Sequence, residues 1–66
     1  MSRPERIIVS EREAAHMLGL SVKTLQARRH RHLPPNYYKM GRSIRYKVAD
    51  LLAWIEEGKV ETEARG

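Results

Sequence analysis

The chain contains no cysteine, so neither a disulfide framework nor a thiolate metal site can stabilise its fold. It has no apolar run near the roughly 18 residues that a membrane-spanning helix needs. Its first ten residues hold one apolar stretch of three residues, which is too short for a secretory signal peptide. These absences predict a soluble protein of the reducing cytoplasm that does not associate with membranes.

The chain is also short. Its 66 residues predict one domain, and a chain of this size buries only about 60% of the surface that its unfolded form exposes. Internal repeats and low-complexity tracts are absent. We expect a single domain over residues 1–66, with an ordered core at about residues 7–58 and a flexible polar tail at residues 59–66.

Acidic side chains are missing from the middle of the chain. Residues 14–47 carry eight basic side chains and no acidic one, residues 1–13 are neutral overall, and residues 48–66 carry a net charge of −3. A basic block within a chain of net charge +5 is typical of a protein that binds a polyanion. A solvated basic surface explains the charge equally well, so charge alone does not decide the function.

The residue patterns of catalysis and cofactor binding are lacking too. His30 and His32 are two residues apart, which places them on different faces of a helix, and no cysteine or nearby carboxylate completes a metal site. The acidic residues between positions 56 and 63 have no partner arranged for proton transfer. The four glycines are scattered rather than gathered in a phosphate-binding loop. We therefore expect no enzymatic activity, cofactor, metal or small-molecule ligand.

The sequence does contain the signals of a first short helix. Ser10 and Glu13 have the spacing of a capping box, which predicts that the helix begins after Ser10. Gly19 is suited to end it. The apolar segment at residues 7–9 is expected to be extended and to pair with later strands. The predicted apolar stripe of the helix consists of Ala14, Met17 and Leu18.

A second helix is predicted directly after the first. Ser21 is its N-cap, and the prolines at 34–35 stop it near Arg31. Arg29 falls near the centre of its apolar side, so we expect that side chain to reach past the core into solvent. The buried side of the helix is predicted to consist of Val22 and Leu25.

The rest of the chain predicts a hairpin and a third helix. Two alternating segments, 37–40 and 43–46, flank Gly41-Arg42 as the strands of a β-hairpin. Its tyrosines fit either aromatic packing of a small hairpin or a platform on which single-stranded bases stack. The last helix is predicted to run from about Val48 to Glu57, with Gly58 as its C-cap. Its buried stripe is predicted to be Val48, Leu51, Leu52 and Ile55, flanked by Trp54.

Two helices joined by a short turn that contains glycine, with a basic free face on the second, are typical of a helix-turn-helix. Ala15 is a small residue where the two helices are expected to cross. A helical hairpin in an unrelated fold shares some of these features, but the basic face favours DNA binding. The residues spaced as the turn and interhelical core of the motif are Leu18, Gly19, Leu20 and Leu25.

Two segments, VSEREAAHMLGLSVKTLQARR and PPNYYKMGRSIRYKVADLLAWIEEG, resemble the small MerR-type excisionases and AlpA-like regulators of phages and integrative elements. The resemblance implies a mainly α fold with a small β-hairpin: a winged helix-turn-helix of about three helices plus a wing. Residues 22–31 would be the recognition helix and the hairpin around Gly41 the wing. Ala27 stands where many relatives have an aromatic residue, and residues 30–33 replace a more glycine-rich turn. The base preference of relatives therefore does not transfer to this chain.

The free face of the second helix is the expected base-reading surface, since lysine and arginine typically read guanine while threonine and alanine methyls meet the thymine methyl. The wing suits the minor groove or its phosphates. Lys39 and Lys47 fit a solvated surface as well as a DNA contact. The predicted recognition-helix residues are Lys23, Thr24, Gln26, Ala27, Arg28 and Arg31. The predicted wing residues are Lys39, Arg42, Ser43 and Arg45, and the predicted DNA-backbone contacts are Ser10, Ser21 and Lys47.

The resemblance implies two alternative roles on double-stranded DNA. One is an excisionase, or recombination directionality factor, which bends attachment-site DNA and helps a tyrosine integrase excise a mobile element. The other is an AlpA-like transcriptional regulator at a promoter. We see no long dimerisation helix and no effector domain, which favours the first role, with copies associating cooperatively and head to tail on DNA. A protein–protein adaptor that uses the acidic last helix is a third alternative. The expected location is the cytoplasm of a bacterial or phage-host cell, at the nucleoid.

Overall fold

The computed structural model describes residues 7–62, which form three helices and a three-stranded antiparallel sheet. The elements follow the order β1 (Ile8–Ser10), α1 (Glu11–Leu18), α2 (Val22–His30), β2 (Tyr38–Met40), β3 (Ser43–Lys47) and α3 (Val48–Glu57). Strand β3 lies between β1 and β2. The fold is a small winged helix-turn-helix domain in which the hairpin of β2 and β3 is the wing, as the resemblance implied.

Capping residues determine where α1 begins and ends. The Glu13 amide donates to Ser10 Oγ at 3.1 Å, and the Ser10 amide donates to Glu13 Oε1 at 3.0 Å, so the predicted capping box is confirmed. Gly19 ends the helix in the left-handed conformation, with φ of 71°. Glycine adopts this conformation at little cost because it has no Cβ. The turn that follows leads to Ser21, which caps α2 by accepting from the Thr24 amide at 3.1 Å.

The end of α2 uses histidine where glycine is usual. The Leu33 amide donates to the Arg28 carbonyl at 2.8 Å, and the His32 amide donates to the Arg29 carbonyl at 3.0 Å. This pair of bonds is the Schellman pattern, in which the residue after the cap is left-handed. That residue is His32, with φ of 59°. The helix itself ends at His30, one residue before the predicted end.

The sheet closes the fold around β3. The predicted hairpin is confirmed, with Gly41 at φ of 64° in its turn and Met40 opposite Ser43 as the last residue pair. Val9 in β1 lies opposite Tyr46 in β3, which confirms that the apolar segment near the N-terminus pairs with a later strand. The three helices and the sheet share one small core. Its buried residues are Val9, Ala14, Ala15, Leu25, Tyr46 and Leu51.

Two predicted apolar stripes are partly wrong. Leu51 of α3 is fully buried, but Leu52 and Ile55 are 55% and 49% exposed, and Met17 of α1 is 47% exposed. The reason is that so small a core covers only a narrow side of each helix. In α3 that side is centred on Leu51, and Leu52 lies about 100° away around the helix axis.

The expectation that Arg29 reaches into solvent is also wrong. Its Nε donates to Glu11 Oε2 at 2.7 Å and its Nη2 to Glu11 Oε1 at 3.2 Å. Both side chains are mostly shielded from water. A carboxylate at the start of α1 therefore neutralises the arginine that the helical pattern places on the apolar side of α2, and the charge stays inside the domain.

The chain beyond α3 is exposed over residues 59–62 and has no regular structure there. Residues 63–66 of the predicted tail lie outside the described residues, as do residues 1–6. Among residues 7–62, none of the helices has the length and apolarity required to cross a membrane.

Candidate nucleic-acid interface

The free face of α2 presents the side chains that the sequence placed there. Lys23, Thr24, Ala27 and Arg31 are all exposed. At 100° per residue they lie within about 100° of one another around the helix axis. The buried Leu25 faces the core on the other side of the helix. This face is therefore a continuous, cationic surface on a helix that the core holds from behind.

The N-terminus of α2 is better suited to a phosphate than that of α1. The first turn of α2 contains no acidic residue, whereas the first turn of α1 contains Glu11 and Glu13. A helix N-terminus attracts anions through its free amides and its dipole, but a carboxylate already placed there repels them. Ser21 is exposed and shares a hydrogen bond with Thr24 Oγ1 at 2.9 Å. Of the two predicted capping serines, Ser21 is thus the one open to DNA.

Arg28 connects three parts of the domain. Its Nε donates to the Pro34 carbonyl at 2.5 Å, and its guanidinium carbon lies 4.9 Å from the centre of the Trp54 ring. The stacking is a cation–π contact, and it covers one face of the indole. Arg28 is therefore anchored to the loop after α2 and to α3. The sequence marked both Arg28 and Trp54 but gave no signal that they meet.

The Glu11 carboxylate accepts hydrogen bonds from side chains of α2 and of the wing strand β3. Besides the Arg29 pair, the Tyr46 hydroxyl donates to Glu11 Oε2 at 2.9 Å. Burial acts to raise the pKa of Glu11, but hydrogen bonds from Arg29 and Tyr46 and the charge of Arg29 outweigh it, with a smaller contribution from Gln26, and the pKa is lowered. Glu11 is ionised near neutral pH as a result, and the predicted recognition-helix residue Gln26 is half-buried on the flank of α2.

Burial, with the hydrogen bond to Glu11, raises the pKa of Tyr46 well above its ordinary range. The phenol stays protonated and acts as a hydrogen-bond donor. Tyr37 lies beside it, with ring centres 6.3 Å apart, and Arg29 lies 5.9 Å from the Tyr37 ring. Two of the three tyrosines are thus occupied in packing, which favours the packing interpretation over a stacking platform.

The wing carries a second group of predicted residues. Lys39 and Arg42 are exposed, whereas Ser43 and Arg45 are half-buried. Nη1 of Arg45 donates to the Ile44 carbonyl at 2.9 Å, which holds the side chain along the strand. Only the exposed pair projects freely toward solvent.

Lys47 lies at the other end of β3, half-buried, with Nζ 5.9 Å from the centre of the Tyr38 ring. The Tyr38 hydroxyl donates to Asp50 Oδ2 at 3.3 Å. Tyr38 thus contacts both Lys47, a predicted backbone contact, and the acidic Asp50. The negative charge of Asp50 partly offsets the positive charge of Lys47, so we expect a phosphate to be attracted less strongly to Lys47 than to Lys39.

The exposed cations of the two elements have no acidic partner in the described part of the chain. Between residues 7 and 62 the ion pairs are Arg29 with Glu11 and Lys59 with Glu61. Neither pair involves α2's free face or the wing. An unneutralised set of cations on a helix and a hairpin matches the electrostatic requirements of a phosphate backbone. The set consists of Lys23, Arg31, Lys39 and Arg42.

A family model described as a helix-turn-helix domain matches residues 9–59. Comparison with curated proteins gives no match. The matched region runs from β1 to just past α3, so it contains both helices of the motif and the wing. Domains of this kind place the second helix in the major groove of double-stranded DNA, which indicates DNA binding. The chain belongs to the helix-turn-helix domain family.

Proposed function

We propose that the chain binds double-stranded DNA sequence-specifically, with α2 in the major groove and the wing at a neighbouring minor groove. The observation that carries the proposal is the set of unpaired, exposed cations on these two elements. Lys23 and Arg31 read base edges, while the methyl groups of Thr24 and Ala27 meet thymine methyls. Ser21 holds a phosphate at the start of α2.

The flanking residues have supporting roles in this proposal. Arg28 sets the position of α2 through Pro34 and Trp54, and its remaining guanidinium nitrogens contact a phosphate. Gln26 contributes less to base reading because it is half-buried on the flank of α2. Lys39 and Arg42 hold the phosphates on the two sides of the minor groove, where the potential is most negative when the groove is narrow. Ser43, Arg45, Lys47 and Ser10 contribute less because they are half-buried or hydrogen-bonded within the protein.

Within DNA binding, we propose the role of an excisionase that bends attachment-site DNA and assists a tyrosine integrase. The surface of α3 supports this role. Leu52 and Ile55 are exposed on α3, next to Glu56. Trp54, which Arg28 of α2 covers, is on the other side of the helix, about 160° around its axis from Leu52. An apolar and acidic surface away from α2 offers a contact to a second protein on the same DNA. The basic surface of a neighbouring copy complements it, which gives a head-to-tail array.

The test is binding to a DNA fragment that carries several copies of a site selected from random duplexes. We expect stepwise, cooperative shifts and a bend that grows as copies are added. Reversing the charge of Glu56 and Glu57 to lysine should reduce cooperativity more than affinity for a single site. The matched control is Glu61→Lys, which alters an exposed carboxylate next to Lys59 and beyond α3. Independent binding to each site on unbent DNA would instead indicate an AlpA-like promoter regulator.

A further inference from the structure

We propose that Met40, at the tip of the wing, is an apolar wedge that inserts between base pairs from the minor groove and kinks the duplex. The inference rests on the proposed function, since it requires that the wing lie in the minor groove. It adds a specific residue and a specific mechanism for the bend, neither of which follows from the cationic surface alone.

The position of Met40 on the hairpin is the first argument. β2 is an edge strand, and all three of its residues are exposed. Met40 is 54% exposed and pairs with Ser43, the last pair before the Gly41-Arg42 turn. β1 pairs along β3 only as far as Arg45. The hairpin therefore extends two residue pairs beyond the three-stranded part of the sheet, roughly 7 Å at the usual rise of a strand. That length is close to the depth of the minor groove of B-DNA, about 7.5 Å.

The direction of the side chain is the second argument. Side chains alternate between the two faces of a strand, so Met40 shares a face with Tyr38 and not with Lys39. Lys39 pairs with Ile44, which packs against the core. Met40 is therefore on the outer face, and the residues that pack around the core do not include it. Core packing does not explain why an apolar side chain stands at this position.

The charges around Met40 are the third argument. Lys39 precedes it in β2 and Arg42 lies in the turn that follows it, both exposed and without an acidic partner in the described part of the chain. Arg42 in the turn and Lys39 on the opposite face of the hairpin can hold the two phosphate strands, while Met40 enters the stack from the outer face. Minor-groove proteins unstack base steps in this way with Phe, Leu, Ile, Met or Pro wedges, and kink the duplex by about 20–90°. Methionine suits the task because its unbranched, polarisable side chain adapts to an irregular gap.

The experiment compares the bend and the affinity of four proteins on one selected duplex. These are the unaltered chain, Met40→Ala, Met40→Leu and the matched control Met17→Ala, which shortens a similarly exposed methionine on α1. Energy transfer between dyes at the duplex ends reports the bend. A fluorescent adenine analogue at successive positions reports unstacking, and anisotropy gives Kd.

We expect the unaltered chain, Met40→Leu and Met17→Ala to bend the duplex alike and to unstack one step. Met40→Ala should lose at least about half of the bend and the unstacking signal, with Kd changed less than about fivefold, because the lost contact and the spared unstacking cost oppose each other. An equal bend with Met40→Ala, or an equal loss with Met17→Ala, would overturn the wedge while leaving DNA binding intact. If the unaltered chain binds selected and scrambled duplexes equally, the proposed function fails, and the wedge with it.

Discussion

At the scale of single residues, Glu11 links the elements that would face DNA. It begins α1, accepts two hydrogen bonds from Arg29 of α2 and one from Tyr46 of β3. These bonds join α2 and the wing strand β3 through one carboxylate. The relative position of helix and wing, on which a fit to two neighbouring grooves depends, is therefore sensitive to this side chain.

Replacing Glu11 with glutamine should lower the free energy of unfolding by about 1–3 kcal/mol, because the Arg29 guanidinium and the Tyr46 hydroxyl lose a charged acceptor in a shielded site. Urea denaturation at neutral pH measures the change. Glu57→Gln removes an exposed carboxylate and should change stability by less than about 0.5 kcal/mol. Equal effects of the two variants would show that the Glu11 network contributes nothing beyond net charge.

The hydrogen bonds of Glu11 also predict how the stability of the folded chain changes with pH. The pKa of Glu11 is lower in the folded chain than its ordinary value of 4.5. Its stabilisation is therefore fully present above the unfolded pKa and is lost as the pH falls through the folded pKa. Stability should decline below about pH 5, and less steeply for Glu11→Gln than for the unaltered chain.

His32 offers a stabilising substitution. A left-handed residue other than glycine costs roughly 1–2 kcal/mol, and His32 has φ of 59°. His32→Gly should raise the free energy of unfolding by about 0.5–1 kcal/mol after the larger entropy of glycine in the unfolded chain is counted. His30→Gly, two residues earlier and at the last position of α2, should lower it by a similar amount. Urea titrations of both variants decide the matter, and a loss of stability in both would contradict the Schellman assignment.

At the scale of elements, the apolar periodicity of α3 predicts where the helix lies but not which of its apolar residues are buried. Four apolar residues at helical spacing predicted its existence and bounds, and both are confirmed. The pattern does not say how much of that stripe the rest of the domain can cover. Leu51 meets the core, while Leu52 and Ile55 remain half-exposed, because the partners of α3 are a five-residue strand and an eight-residue helix.

Replacing each of the two neighbouring leucines with alanine should show that only one of them supports the core. Leu51→Ala should cost about 2–5 kcal/mol, since it opens a cavity in the core. Leu52→Ala should cost less than about 1 kcal/mol, as expected for an exposed side chain. Chemical denaturation of both variants is the measurement. Similar losses from the two would mean that α3 packs with the broader face that its sequence pattern predicts.

Local signals account for most of what the sequence predicted correctly. The capping box at Ser10, the glycines at 19 and 41 and the prolines at 34–35 act on their immediate neighbours, so their effect can be deduced without knowing the fold. The contacts of Arg28 with Trp54 and of Arg29 with Glu11 join residues 26 and 18 positions apart. Such pairs depend on how helices cross, and no single-sequence pattern encodes that. The predicted DNA-contacting residues stay predictions.

The proposed function predicts that α2 and the wing differ in what they contribute to DNA binding. Lys23→Ala should weaken binding to a selected duplex by about 1–3 kcal/mol and affect a scrambled duplex less, as expected for a base contact. Arg42→Ala should weaken binding to both duplexes similarly, since phosphates are the same in every sequence. Anisotropy titrations on the two duplexes make the comparison. Equal losses everywhere for Lys23→Ala would contradict its assignment to bases.

At the scale of the whole molecule, charge is segregated along the chain and in the fold. The basic residues of the middle segment lie on α2, the loop after it and the wing, whereas Glu56, Glu57 and Glu61 follow at the end of α3 and beyond. A polyanion such as DNA therefore attracts the middle of the chain and repels its C-terminal part. In the proposed function, this arrangement would orient the domain on a duplex before base contacts form.

The most direct test of the account is the salt dependence of binding to a selected duplex. If the basic residues of α2 and the wing, without the internally paired Arg29, neutralise about four to seven phosphates, log K should fall with log salt concentration at a slope of roughly −3.6 to −6.3. The selected duplex should also stay favoured over a scrambled one at every salt concentration, because base contacts release no counterions. A nearly flat salt response, or equal affinity for both duplexes throughout the titration, would contradict sequence-specific DNA binding by α2 and the wing.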